Sequence, residues 1–229
     1  MPKTSPDRPL RLVVFDFDGT LVDSQHMIAD SMAQAFRALD LAAPDTAAVR
    51  QVVGLRLEEA IGRLADAAAE TALVAELAAQ YRKAFWTLRS SDRFHEPLFP
   101  GVRGALTRLC RRPELLLAIA TGKNRRGLVH SLARHKLTDR FHSLQTADDG
   151  PGKPHPAILE QAMAESGVEP ARTLLLGDTT YDMQMAGNAG VRAVGVSWGY
   201  HSREMLLSAG ASCVIDRIEA LEPLIDAEA

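Results

Sequence analysis

Apolar positions along the chain fall into two rhythms. Leu10 and then Leu12 to Phe15 form a nearly continuous apolar run that stops at Asp16. Leu115 to Ala120 stops at Thr121-Gly122, Thr173 to Leu176 stops at Gly177-Asp178, and Val191 to Val196 stops before Ser197. Short apolar runs without alternation predict strands buried on both faces of a parallel sheet. Stretches of helical length lie between them, at 102–110, 125–135, 156–166 and 181–189. Strand and helix in alternation predict βαβ units and an open α/β sheet.

Residues 24–97 keep a different time. Ile28, Met32, Ala35, Phe36 and Leu39 recur at helical spacing, as do Leu73, Leu77, Tyr81, Phe85 and Leu88. Leu57, Ile61 and Leu64 predict a further short helix, and Pro97 with Pro100-Gly101 punctuates the return to the first rhythm. The reading is an all-helical insert over 24–97, placed after the first strand of an α/β core made of 1–23 and 98–229. Two connections join the parts and form a natural hinge.

Composition narrows the partners. A chain of 229 residues and 24.8 kDa with 46% hydrophobic residues suits one large domain, or one domain with an insert. A net charge of -3 and a pI near 6.2 supply no basic field for nucleic acid or an anionic membrane surface. Cys110 and Cys213 are too few for a disulfide framework or a cysteine zinc site, and both are expected to be small buried hydrophobes. Met1 to Arg8 carries no apolar signal core, and no run approaches the roughly 20 apolar residues that span a bilayer. A soluble, cytoplasmic protein is expected.

The candidate chemistry sits where the apolar runs stop. In Asp16-Phe17-Asp18-Gly19-Thr20 the two acids, two residues apart in an extended chain, face the same side, and Gly19 permits a tight turn. Such a pair repels itself unless a cation or a shared proton relieves it. Open α/β sheets bind ligands at the carboxyl ends of their strands, so Asp178 is expected on the same edge. Carboxylate oxygens with positions left for water and phosphate describe a magnesium site. Thr121-Gly122 offers a hydroxyl and backbone N–H groups to phosphate oxygens, and Lys153, between Gly152 and Pro154, could balance the charge. Each has a plainer reading: Asp178 or Thr121 as a helix cap, Asp182 as a first-turn helix acid, Lys153 as a solvated loop lysine.

Taken in order, these segments resemble the haloacid dehalogenase-like hydrolases. Val-Val-Phe-Asp16-Phe-Asp18-Gly-Thr-Leu-Val-Asp-Ser is similar to that family's first motif, Ala-Thr121-Gly-Lys to its second, Gly-Lys153-Pro-His-Pro to its third, and Leu-Gly-Asp178-Thr-Thr-Tyr-Asp182 to its fourth. The likeness runs from about Leu12 to Asp216. The segment from Ala189 to His201 further resembles the phosphoglycolate phosphatase-like branch, which carries a helical cap between its first and second motifs. The resemblance implies a Rossmann-like core under that cap and a Mg2+-dependent phosphatase acting on a small phosphorylated metabolite, with phosphoglycolate as the family-level choice. It implies Asp16 as nucleophile, Asp18 as general acid and base, and Mg2+ held by Asp16, Asp178 and the backbone carbonyl of Asp18. Gly19, Thr121, Gly122 and Lys153 would bind the phosphoryl group, and Asp182 would orient Lys153 or a metal-bound water. Gly122 stands where this branch often has asparagine. In the cap, Arg56 is the cation to watch for a substrate anion, with His26 a second candidate; Trp198, Gly199 and Tyr200 are expected to shape or pack the rim. A dehalogenase would not need Asp18 or Asp178. A phosphomutase would keep every residue named, a pyrophosphatase or nucleotidase remains open, and a non-catalytic binding protein would have no reason to keep the set. No GxGxxG follows the first strand, which excludes a dinucleotide fold.

Overall fold

The computed structural model describes residues 9–69, 71–90 and 96–227. After β1 (Arg11–Phe15) come four helices, α1 (Gln25–Arg37), α2 (Thr46–Val52), α3 (Leu57–Ala65) and α4 (Ala72–Arg89). Helices and strands then alternate: α5 (Val102–Leu109), β2 (Leu115–Ala120), α6 (Arg125–Arg134), β3 (Ser143–Gln145), α7 (Ala157–Ser166), β4 (Thr173–Gly177), α8 (Thr180–Asn188), β5 (Arg192–Val196), α9 (Arg203–Ser208), β6 (Cys213–Ile215) and α10 (Leu221–Asp226). The six strands form one parallel sheet in the order β3-β2-β1-β4-β5-β6. The open α/β sheet expected from the apolar runs is therefore present.

β1 lies between β2 and β4, where the winding direction reverses, and alternate residues serve opposite faces. Val13 and Phe15 join a core with residues of α5, α6 and α10, while Leu12 and Val14 join one with residues of α7, α8 and α9. Burial on both faces is why the run carries no polar alternation. In open sheets the crevice at such a reversal, outside the carboxyl ends of the strands, is where ligands bind. Five elements are not foreseen by the pattern: β3 and β6, three residues each, the seven-residue α2, and the six-residue α9 and α10.

Helices α1 to α4 carry a cluster of their own, built on Met32, Phe36, Val49, Ile61, Val74 and Leu77. The chain enters and leaves this region along adjacent strands of backbone. Val22 bridges Leu98 antiparallel, the Asp23 N–H donates to the Pro97 carbonyl at 2.8 Å, and the Phe99 N–H donates to the Leu21 carbonyl at 3.0 Å. Across the crevice, Arg50 donates to the carbonyls of Gly199 and Tyr200, and the Tyr181 hydroxyl donates to the Gln51 carbonyl at 2.9 Å.

The expectation for the cysteines is corrected. Cys110 is exposed, because it sits just past α5 on the solvent side, and Cys213 is half-buried at the start of the edge strand β6.

Candidate active site

Asp16 is the first residue past β1, and its N–H donates to the Leu176 carbonyl at 2.9 Å. The chain then turns sharply. Gly19 adopts φ +91°, and a Cβ there would fall 2.2 Å from Asp178 Oδ2. Only glycine fits this turn without strain. The Gly19 N–H donates to the Val22 carbonyl at 2.9 Å, which closes the turn and lets Asp178 approach. Asp178, past β4, accepts from the Thr20 hydroxyl at 2.7 Å and the Tyr200 N–H at 3.0 Å.

Lys153 is fully buried and donates to Asp16 at 2.7 Å and to Asp182 at 2.6 Å. It is therefore no solvated loop lysine. Asp182 also closes a capping box at the start of α8, accepting from the Thr179 N–H and hydroxyl. Thr179, not Asp178, is thus the helix cap. Oxygens of Asp16, Asp178 and Asp182 lie within 4.8 Å of one another, all three residues buried. One ammonium faces three carboxylates. Burial, with Asp182 adding to it against the pull of Lys153, raises the Asp16 acid from its ordinary value to about 7. Burial and then the charges of Asp16 and Asp182 push Asp178 well up. Burial would lower Lys153, but Asp16 and Asp182 outweigh it and hold the ammonium above its ordinary range. Hard oxygen donors carrying excess negative charge fit a small divalent cation such as Mg2+.

Thr121 follows β2, buried, its hydroxyl free of capping duty because Asn124 caps α6 by accepting from the Gly127 N–H at 2.7 Å. A Cβ on Gly122 would fall 2.7 Å from the Gly54 carbonyl, so the α2–α3 loop rests directly on this turn. Lys123 reaches the Asp18 carboxylate at 2.8 and 3.0 Å and Glu96 at 3.4 Å. Burial would lower its ammonium, yet Asp18 and Glu96 hold it above its ordinary value. Glu96 also pairs with Arg89, and both Glu96 and Arg89 bond the Ser131 hydroxyl. The Asp18 carboxylate, expected as acid and base, is turned toward Lys123 and lies outside the acidic trio. Only its backbone carbonyl is left for a metal.

A cavity of about 260 Å³ opens from Asp16, Asp18, Thr121 and Gly122 up into the helices, where Met32, Tyr81 and Trp86 line it. Arg56, exposed, lines the cavity with its stem across the Gly152 backbone. His26 is exposed on α1 and does not line it.

Residues 13–196 match the family model described as haloacid dehalogenase-like hydrolase. This chain belongs to the haloacid dehalogenase-like hydrolases. The hydrolase is 35% identical over 208 residues to "Probable phosphatase IndB" of Dickeya dadantii, covering 90% of this chain and 89% of the other. It is 33% identical over 215 residues to a phosphoglycolate phosphatase of Pseudomonas putida, covering 93% and 79%. The crystal structure of a hydrolase from Pseudomonas syringae superposes with a TM-score of 0.83 at 23% identity, covering 96% of this chain and all of the other; that likeness is one of fold. Such relatives along nearly its whole length place the hydrolase among the phosphatases of its family.

The fold of the hydrolase brings Asp16, Asp18, Thr121, Gly122, Lys153, Asp178 and Asp182 to one sheet edge, with Arg56 above them. Lys123, Glu96 and Thr20 are the residues that sequence reasoning missed. Lys123 carried a signal, its place directly after Thr121-Gly122. Glu96 carried none, since only the return from α4 brings it near Lys123. Tyr200 was expected at the rim; it is buried there, its N–H on Asp178 and its hydroxyl 3.1 Å from Ser24 Oγ. Trp198 donates to the Thr20 carbonyl at 3.1 Å and so fastens the turn after β1.

Proposed function

We propose that this chain is a Mg2+-dependent phosphomonoester hydrolase of the cytoplasm that acts on a small phosphorylated metabolite through an aspartyl-phosphate at Asp16. The observation that carries the reading is the buried trio Asp16, Asp178 and Asp182, answered by the single ammonium of Lys153, at the floor of a cavity. Asp16, Asp178 and the Asp18 carbonyl would hold Mg2+, whose charge lets an anionic carboxylate meet an anionic phosphate. Lys153 favours the ionised, nucleophilic form of Asp16. An Asp16 carboxylate oxygen attacks phosphorus, the bond from phosphorus to the ester oxygen breaks, and Asp18 gives a proton to the departing alkoxide. Asp18 then takes a proton from a water that attacks the acyl phosphate, which frees phosphate and restores Asp16. Thr121 and the Gly122 N–H bind phosphoryl oxygens, and Lys153 offsets their charge.

Residues 24–97 act as the cap in this reading. Seated on Gly122 through Gly54, the cap excludes water while the chemistry proceeds. The partner in this reading is a small phosphorylated metabolite; among the described residues no helix is long and apolar enough to cross a membrane. The test is phosphate release with Mg2+ from a panel of phosphorylated metabolites that includes phosphoglycolate. Release by the wild type, its loss in Asp16→Asn, and acid-stable, hydroxylamine-labile phosphate on the wild-type protein are expected. Transfer of phosphate within a sugar phosphate without release would mark a mutase instead.

A further inference from the structure

Beyond the reacting edge, the walls of the cavity come from the inserted helices and are mainly apolar, broken by the Arg82–Glu58 ion pair. Met32 lies on α1, Val49 and Val52 on α2, and Tyr81, Phe85 and Trp86 on α4. The rings of Tyr81 and Phe85 stack at 5.8 Å with an interplanar angle of 29°, and Arg126 lies 4.4 Å over the Trp86 ring with His130 edge-on at 5.7 Å. These rings are held in place by neighbours. The cations that line the cavity, among the described residues, are Arg56, Arg82 and Lys123. Lys123 is committed to Asp18 and Glu96, and Arg82 is ion-paired with Glu58. Arg56, exposed across the Gly152 backbone, is then the one lining cation with neither commitment.

A two-carbon acid such as glycolate would meet this wall with its carboxylate and leave the apolar surface wet. A leaving alcohol that carries a compact apolar or aromatic group would cover the same surface and draw affinity from it, with planar rings favoured by the aromatic faces. From this wall, and resting on the phosphatase reading above, we infer that the preferred substrates are phosphate monoesters of primary alcohols bearing a compact aromatic or apolar group, in preference to phosphoglycolate. The cap helices thus select the leaving group by hydrophobic fit, while Asp16 and its neighbours treat every phosphoryl group alike.

The test compares 2-phenylethyl phosphate, ethyl phosphate and phosphoglycolate with the Mg2+-loaded enzyme. The first two release similar primary alkoxides, so the ring is what separates them. A kcat/KM for the phenylethyl ester at least roughly 10-fold above each of the others is expected, the scale at which an apolar pocket discriminates one small group. Trp86→Ala, or Val52→Asn if the first does not fold, should shrink the phenylethyl-to-ethyl ratio several-fold. A higher kcat/KM for phosphoglycolate, falling with Arg56→Ala, would overturn the inference and leave the phosphatase reading standing. No release from any ester would instead remove the phosphatase reading. Calorimetric binding of 2-phenylethylphosphonate against ethylphosphonate, which needs no turnover, then decides the wall: a tenfold tighter Kd for the former supports it, and equal values overturn it.

Discussion

Two buried charge clusters border the cavity, and they are composed differently. Around Lys153, three carboxylates are clustered with one ammonium, which bonds Asp16 and Asp182. Around Lys123, two carboxylates, Asp18 and Glu96, meet two cations, Lys123 and Arg89. The second cluster is balanced in charge within the protein, and its hydrogen bonds run on to Ser131. The first is not, and Asp16 and Asp178 bear the strain as weakened acids whose pKa values are raised. Buried charge without an internal partner is costly, so its presence marks a place prepared for something from outside. A balanced cluster beside it holds a shape.

The sharpest way to break this comparison is at Asp16. Asp16→Asn should lower kcat by at least roughly 10³-fold, as removal of an attacking group does, while the folded protein persists. Turnover near wild type in a deamidation-free preparation would take the reacting role away from the unbalanced cluster.

Asp18 belongs to the balanced cluster yet faces the cavity, so it tests whether that cluster is purely structural. Asp18→Asn should slow phosphorylation by alkyl phosphates roughly 10²–10⁴-fold, the usual worth of general acid catalysis, and by nitrophenyl phosphate much less. Phosphoenzyme should accumulate from the aryl ester in single-turnover experiments. Equal losses for both esters with no trapped intermediate would make Asp18 a positioning residue only.

Arg89 lies deeper and should matter to stability. Arg89→Met leaves Glu96 with one cation fewer and should cost about 3–5 kcal/mol, the range for breaking a buried ion pair. In a chain of this size that lowers Tm by roughly 10 °C. Adding Glu96→Gln should recover part of the loss; an additive further loss would show that the cluster is not coupled in the way its contacts suggest.

The smallest effect is one of pH. Burial places the Asp16 acid at about 7 in the folded protein against an ordinary 3.8, so its ionisation costs stability as pH rises from about 4 to about 7. Asparagine does not ionise. The Tm advantage of Asp16→Asn over wild type, both metal-free, should therefore be a few degrees wider at pH 7.5 than at pH 5, and Mg2+ should narrow it at pH 7.5. An equal gap at both pH values would contradict the burial account.

What the sequence made legible follows the same division. Asp16, Thr121 and Asp178 each end an apolar run, and a run that stops at the edge of a buried sheet announces both the strand and the edge. β3 and β6 gave no such notice. Ser-Leu-Gln and Cys-Val-Ile are strands because their neighbours offer open hydrogen-bonding groups, a tertiary cause that three residues cannot display. The place of Gly19 in its motif shows the need for glycine and not the bond its N–H makes to Val22. Lys123 stood in a quoted motif with no task, since Asp18 and Glu96 approach it from distant parts of the chain. Charge balance is a property of the folded site.

The central position of β1 has a consequence for synthesis. Leu12 pairs with Leu116 on one side and Thr173 on the other, so the innermost strand of the sheet is made well before either of its partners. Ribosomes add roughly 5–20 residues per second, which leaves Leu-Val-Val-Phe waiting some 8–30 s for β4 to appear. During that interval an apolar run with open edges is exposed to other chains. A nascent chain arrested before residue 170 should therefore be bound by holdase chaperones at residues 10–15, and one arrested beyond residue 200 and clear of the exit tunnel should not. The arrangement that gives Asp16 its rigid seat also makes its strand dependent on protection at birth.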